Sequence, residues 1–336
     1  MNYALDVNDP LLGFAVEWAD ELASHFERTL VLTGRIGSEG SDVVRAENVG
    51  WVEGQTARNI WRLERAFVKA LRIFRPDIIF VHMAAPYAAL IGPIAKANSV
   101  PMVLWYEHQA PSRELSLAER FSAAVVSASP SYPGRKAAIV VGHGISTRAF
   151  PPKLRTPYPS GSELLRAIHV GRADPVKAVD TIVADLAAAR HDSALEYTLT
   201  QLGHSSGNHR GILSQSVHEQ YPWVSSFRSV PRQQVLGWLD RHDFFVHAYA
   251  GAIDKAPLEA SLAGLPVVSR GARVFEALGG RGSPRSIDEQ LRTIRAWSSS
   301  EICDLVRRQQ DHVLRHHSLA ATAKRISDIL RSQASS

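Results

Sequence analysis

Short apolar runs recur along this chain with helix-length segments between them, and that alternation limits the fold more than any other feature. In the first half, "NYALD" and "TLVLTG" read as strands on either side of a helix over 11–26. A second helix, over 56–74, carries apolar residues at helical spacing. "DIIFVHM", "PMVLWYEH", "SAAVVSAS" and "AAIVVGHG" are further apolar runs of strand length, with a helix over 87–97 after the first of them. Strands that are apolar on both sides of the pleat need cover on both faces, which predicts a parallel sheet sandwiched by helices.

The stretch 146–162, "STRAFPPKLRTPYPSGS", breaks the pattern with prolines and no periodicity, and reads as a linker. The alternation then restarts. "LLRAIHV", "EYTLTQL", "PWVSSF", "FFVHAY" and "PVVS" are strands, separated by helices over 176–190, 211–220, 232–241 and 257–263. Residues 286–330 are mostly helical. The chain is therefore expected to form two Rossmann-like α/β domains, 1–150 and 151–318. Residues 319–336 would be a C-terminal helix able to pack back toward the first. Ligands of such sheets bind beyond the carboxyl ends of the strands, so a tandem pair is expected to hold its site in the cleft between domains.

The chain has 336 residues and a formal net charge of +5, all of which falls on residues 151–336, because 1–150 carry equal numbers of basic and acidic residues. That suits a phosphate-bearing ligand, with solvated surface charge as the plain alternative. Basic and aromatic residues do not cluster as nucleic-acid binding requires, so no nucleic-acid partner is expected. The single cysteine, Cys303, suits a reducing cytoplasm. No apolar run long enough for a membrane span and no secretory signal is read, and weak peripheral association with the inner face of a membrane is the most expected there.

Two segments carry candidate chemistry. "HVGRADPVKAVDTIV" sets Gly171 and Arg172 at a strand end and Lys177 at the start of the next helix, where two cations and free N–H groups could cradle a diphosphate. Two exposed cations on a turn would look the same. "DKAPLEASLAGLPVVSR" places Glu259 at the opening of a short apolar helix. There it serves a ligand, or is simply a charge favoured by the helix dipole.

"VGRADPVKAVDTIV" resembles the GR-x4-K-G diphosphate loop of retaining GT-B glycosyltransferases, family 4 in particular. "PLEASLAGLPVV" is similar to that family's LEAMAxGxPVV segment, and "KAAIVVGHGISTRAF" to its domain junction. "RPDIIFVHM" and "VPRQQVLGWLDRHDFFVHAY" resemble further segments in the right order, over roughly residues 1 to 330.

The resemblance implies a GT-B architecture and a nucleotide-diphospho-sugar as donor substrate, with no cofactor and no metal. The acceptor it implies is a glycan or lipid-linked molecule of cell-surface polysaccharide synthesis. It implies that Arg172 and Lys177 hold the donor diphosphate, that Glu259 accepts hydrogen bonds from ribose, and that Ser229 and Val230 meet the base through main-chain atoms. His108, ending its strand, would lie near the transferred sugar, with Glu107 beside it on the other face. Gly13, in the first strand-to-helix loop, would bring backbone against substrate. Asp6 and Asp9 nearby read as caps of the helix, with contact to acceptor hydroxyls as the alternative.

The family's first glutamate, eight residues before Glu259, is replaced by Gly251. Asp254 and Lys255 follow in the same loop, where Asp254 could take over the sugar contact and Lys255 could reach a phosphate; a rearranged surface loop is the alternative. Two other functions stay open: a non-catalytic nucleotide-sugar-binding protein, and a GT-B nucleotide-sugar 2-epimerase. His312 and His316, four apart, and His204 and His209 read as solvated rather than as metal ligands, and Trp223, Trp238 and Trp297 as core.

Overall fold

The computed structural model describes residues 1–9, 12–37, 41, 44–50, 56–108, 110–155, 158, 164–193, 196–203 and 215–335. The chain divides into two units, Met1–Ser146 with Ser318–Ser336, and Thr147–His317.

The first unit runs α1 (Phe14–Ala23), β1 (Leu30–Thr33), β2 (Arg45–Asn48), α2 (Thr56–Ile73), β3 (Ile79–His82), α3 (Ala85–Ala97), β4 (Met102–Trp105), α4 (Arg113–Phe121), β5 (Ala124–Ser127) and β6 (Ile139–Val140). β3, β4, β5 and β6 form a parallel sheet in that order, and β1 pairs in parallel with β2. All four residues of β4 are buried. Met102 and Leu104 face a cluster with Leu63, Phe67, Tyr87 and Ile91, while Val103 and Trp105 face one with Trp18, Val126, Leu319 and Ile326. A strand packed on both faces is why its sequence is apolar without alternation. In α2, Asn59, Leu63, Phe67 and Ala70 recur every three or four residues and form its buried face.

Two elements depart from the expectation. "NYALD" is not a continuous strand: it makes isolated parallel bridges, Asn2 to Thr33 and Leu5 to Ile36, and Met1 accepts a hydrogen bond from His82 N on its other side. β2, "RAEN", is a polar and largely exposed strand that no apolar run announces.

The second unit contains β7 (Leu164–Val170), a 3-10 turn (Pro175–Lys177), α5 (Val179–Ser193), β8 (Glu196–Leu202), α6 (Gln215–Gln220), β9 (Val224–Phe227) and α7 (Arg232–Leu239). It continues with β10 (Phe244–His247), α8 (Lys255–Leu262), β11 (Val267–Ser269), α9 (Ala272–Ala277), α10 (Ile287–Arg295) and α11 (Ser299–His316). Its five strands are parallel, in the order β11-β10-β7-β8-β9. Part of the expected helix over 211–220 and part of the expected linker lie outside the described residues. The described part of that linker is strapped to this unit: Lys153 N donates to Leu262 O, Arg155 Nη2 to Leu239 O at 2.6 Å, and Tyr158 Oη to Gly264 O at 3.2 Å.

The helical tail 286–330 is cut by serine caps. Ser286 and Ser298 each form a capping box with the glutamate three residues on. Ser318 caps α12 (Leu319–Ala334), which belongs to the first unit. There α12 supplies Leu319, Ile326 and Leu330 to the cluster around Trp18, and Ile145 bridges Ser318.

Candidate functional site

Because all strands of the second sheet are parallel, their carboxyl ends share one edge. Connections leave β7 toward β8 on one side and β10 lies on the other, so the order switches at β7, the place where ligands of such sheets bind. The segments that follow β7, β9 and β10 bring Arg172, Lys177, Ser229, Val230, Asp254 and Lys255 to this edge, and α8 adds Glu259.

Lys177 does not open a helix, as its spacing suggested. Pro175 starts a 3-10 turn that Lys177 ends, and Ala178 follows at φ 52°, a left-handed conformation. The helix α5 begins only at Val179. From this turn Lys177 Nζ donates to both oxygens of Asp254, at 2.7 and 2.8 Å, and lies 4.2 Å from the centre of the Tyr249 ring. His247 Nε2 is 3.2 Å from Asp254 Oδ2, and since a carboxylate can only accept, Nε2 is the donor. Ser269 Oγ sits 3.1 Å from the other ring nitrogen. Burial opposes ionisation of Asp254, but the His247 hydrogen bond and the Lys177 ammonium outweigh it and hold the carboxyl well below the usual range.

His169, at the end of β7, lies behind this group with its ring 6.4 Å from that of His247. Its Nδ1 donates to Val246 O at 3.0 Å, so Nε2 carries a lone pair, buried and without a hydrogen-bond partner. Burial lowers its pKa to about 4, despite the carbonyl, and the ring is neutral.

Glu259 is the fifth residue of α8, past the first turn, because the helix begins at Lys255 with Asp254 at the N-cap. The dipole at a helix start therefore does not account for it. Its side chain is buried, and Arg232 Nη1, from the first residue of α7, approaches Oε1 to 2.7 Å off the hydrogen-bonding direction. Ser229 and Val230 lie in the loop before α7, Ser229 exposed and Val230 half-buried. Arg172 Nη1 is 3.0 Å from Asp174 Oδ2. At Gly251 a Cβ would come within 2.5 Å of Tyr249 Oη, so the tyrosine ring fills the space a side chain there would take.

Gly13 and His108 belong to the first unit. Gly13 precedes α1, and a Cβ on it would meet Val7 O at 2.6 Å and Asp9 O at 2.8 Å. Its lack of a side chain serves a close approach of the chain to itself. Asp9 accepts from Leu12 N at 2.8 Å, and Asp6 from Asn8 N at 3.0 Å. β4 ends at Trp105, so His108 does not end the strand; it stands three residues beyond, exposed. Glu107 accepts hydrogen bonds from Ser127 Oγ, Ala128 N and Ser129 Oγ at 2.7, 2.7 and 3.2 Å.

Sequence reasoning missed Arg232, His247, Tyr249 and Ser269. His247 ends the buried run "FFVH", and a histidine closing an apolar strand was the signal that could have found it. The rings of His312 and His316 lie 4.5 Å apart at a tilt of 42°, and among the described residues no group of three or more His, Cys, Asp or Glu could hold a metal. His204 and His209 lie outside those residues. Among the described residues no helix is long and apolar enough to cross a membrane.

No protein-family model and no curated protein sequence matches the chain. Solved structures do. The apo form of the lipopolysaccharide outer core galactosyltransferase WaaB matches at 14% identity and TM-score 0.66, over 98% of this chain and 100% of that one. The apo structure of OtsA matches at 12% and 0.68, over 98% of each. WaaG, a glycosyltransferase involved in lipopolysaccharide biosynthesis, matches at 13% and 0.58, over 98% and 99%. The likeness spans enzymes of different kinds, so it speaks for the architecture and not for family 4 within it. With two parallel-sheet α/β units and full-length matches of this kind, the chain has the GT-B fold of glycosyltransferases.

Proposed function

We propose that the protein is a retaining, metal-independent glycosyltransferase of the family 4 kind. In this reading it moves a sugar from a nucleotide-diphospho-sugar to a glycan or lipid-linked acceptor, on the cytoplasmic side of a membrane, in cell-surface polysaccharide synthesis. The observation that supports it is the Lys177–Asp254 pair after β7 and β10, with Arg172 in the same segment as Lys177 and a buried Glu259 on α8. Lys177 and Arg172 bind the diphosphate and offset the charge that develops as the anomeric carbon–phosphate oxygen bond breaks. The acceptor hydroxyl forms the new bond on the same face, and its proton goes to the departing phosphate oxygen. Glu259 accepts from ribose hydroxyls, and Ser229 and Val230 meet the base through their main chain. Lys255 reaches a phosphate, and Asp254 takes over the sugar contact of the family's first glutamate.

Incubation with UDP-, GDP- and ADP-sugars in chelator, with the anomeric configuration of released or transferred sugar read by NMR, tests this reading. Sugar transfer or release with retention is expected; a strict requirement for Mg²⁺ or inversion would overturn it. One observation favours a second reading, a nucleotide-sugar-binding protein without catalysis: Tyr249 fills the space of the family's sugar-binding glutamate. Nucleotide binding without turnover would select it.

A further inference from the structure

The Asp254 carboxylate has an unusual commitment. It stands at the N-cap of α8, where an aspartate ordinarily accepts from the first N–H groups of the helix, yet it makes no such bond. Both oxygens accept instead from Lys177 Nζ, and Oδ2 also accepts a hydrogen bond from His247 Nε2. His247 is buried on β10, with Ser269 of the neighbouring strand β11 against its other nitrogen. Two adjacent strands thus aim one carboxylate at one ammonium, and the Tyr249 ring backs that ammonium from another side. Asp174, the N-cap of the turn that holds Lys177, has its carboxylate 3.0 Å from Arg172 Nη1.

We propose that Asp254 is a built-in competitor for the diphosphate, and that His247 and Ser269 are the positioning residues that aim it. The inference rests on the reading of Lys177 as a diphosphate ligand. A phosphate oxygen and the Asp254 carboxylate want the same three ammonium protons in the same direction. Binding is then an exchange, in which the carboxylate gives up Lys177 to a ligand that brings more negative charge. An exchange of this kind favours nucleoside diphosphates over nucleosides and weaker anions. It also lets the enzyme take Lys177 back when product leaves.

The sign of the effect separates this role from a supporting one. Asp254→Asn keeps the shape and an acceptor for His247 but removes the competing charge. It should bind diphosphate about tenfold more tightly, the scale of one charge-assisted hydrogen bond, with nucleoside affinity unchanged. His247→Ala frees the carboxylate to wander and should act in the same direction by about threefold, and the double variant should bind no more tightly than Asp254→Asn alone. Calorimetry on the full chain with UDP, GDP and ADP, beside uridine, guanosine and adenosine, reads all of this as a ratio of affinities. A merely structural role would lower the melting temperature of His247→Ala and leave that ratio in place. Asp254→Asn binding diphosphate as wild type does, or more weakly, would overturn the proposal and leave the reading of Lys177 standing. Should Asp254→Asn not fold, the His247→Ala ratio decides alone. If neither wild type nor any variant binds a diphosphate, the reading of Lys177 falls and the competitor falls with it.

Discussion

The carboxyl edge of the second sheet and the loops of the first unit that carry Gly13 and Glu107 are built by opposite means. At the second sheet, charged side chains far apart in sequence meet in pairs: Lys177 with Asp254, Arg232 with Glu259. In the first unit the loops are held by main-chain and hydroxyl contacts within that unit. Glu107 is tied to Ser127, Ala128 and Ser129, and Gly13 is pressed against the carbonyls of Val7 and Asp9. An ion pair can trade one partner for an incoming anion, while a carboxylate bonded to backbone cannot let go without undoing a turn. At these places the second unit holds charge in exchangeable pairs, and the first holds shape.

The widest gap between the two should appear with Lys177→Ala. Loss of the ammonium should weaken nucleoside diphosphate binding by roughly 2–4 kcal/mol in calorimetry. Unchanged affinity would mean that the exchangeable charge at this edge serves no phosphate.

Acid should strike the second unit through His169. Burial lowers its pKa from 6.5 to about 4, so as pH falls the unfolded chain takes up the proton first. Its contribution is whole above pH 6.5 and is lost on descent toward 4, about 3 kcal/mol in all at 1.36 kcal/mol per unit. His242, also lowered mainly by burial, works in the same direction. Urea midpoints at neutral and acid pH should draw closer together in His169→Asn than in wild type, and equal pH dependence would refute the assignment.

The first unit should answer to shape alone. Gly13→Ala forces a methyl onto two carbonyls and should cost about 2 kcal/mol of stability, the range for overpacking, with diphosphate affinity untouched in the protein that remains folded. A loss of diphosphate affinity there would blur the division.

The smallest effect belongs to Ala178, held at φ 52° directly after Lys177. Glycine adopts that conformation without the side-chain penalty, so Ala178→Gly should raise stability by up to about 1 kcal/mol, read as a small increase in melting temperature. A decrease would show that the turn relaxes around alanine.

What the sequence revealed follows from where each signal resides. β4 and β10 fall inside the runs "PMVLWYEH" and "FFVHAY" because burial on both faces leaves a continuous apolar signature, while β8, "EYTLTQL", shows as an alternation of exposed or half-buried and buried residues. β2 escaped because a polar, exposed strand has none. Lys177 was displaced from a helix start because Pro175 diverts the chain into a tighter turn, and Glu259 moved inward because α8 starts at Lys255. Motifs gave Arg172, Lys177 and Glu259 as single residues. Their partners were out of reach, since Lys177 and Asp254 lie 77 positions apart and meet only after β7 and β10 pair.

The bridge between Ile145 and Ser318 joins the point where the chain leaves the first unit to the point where it returns. Residues 147–317 are thus an insertion within the first unit, and synthesis runs in one direction. The ribosome completes the inserted unit before it makes α12, the helix that covers Trp18 and Val126. The half of the molecule that begins first is finished last. During that interval its apolar flank depends on the speed of translation, and on chaperones, for protection from aggregation.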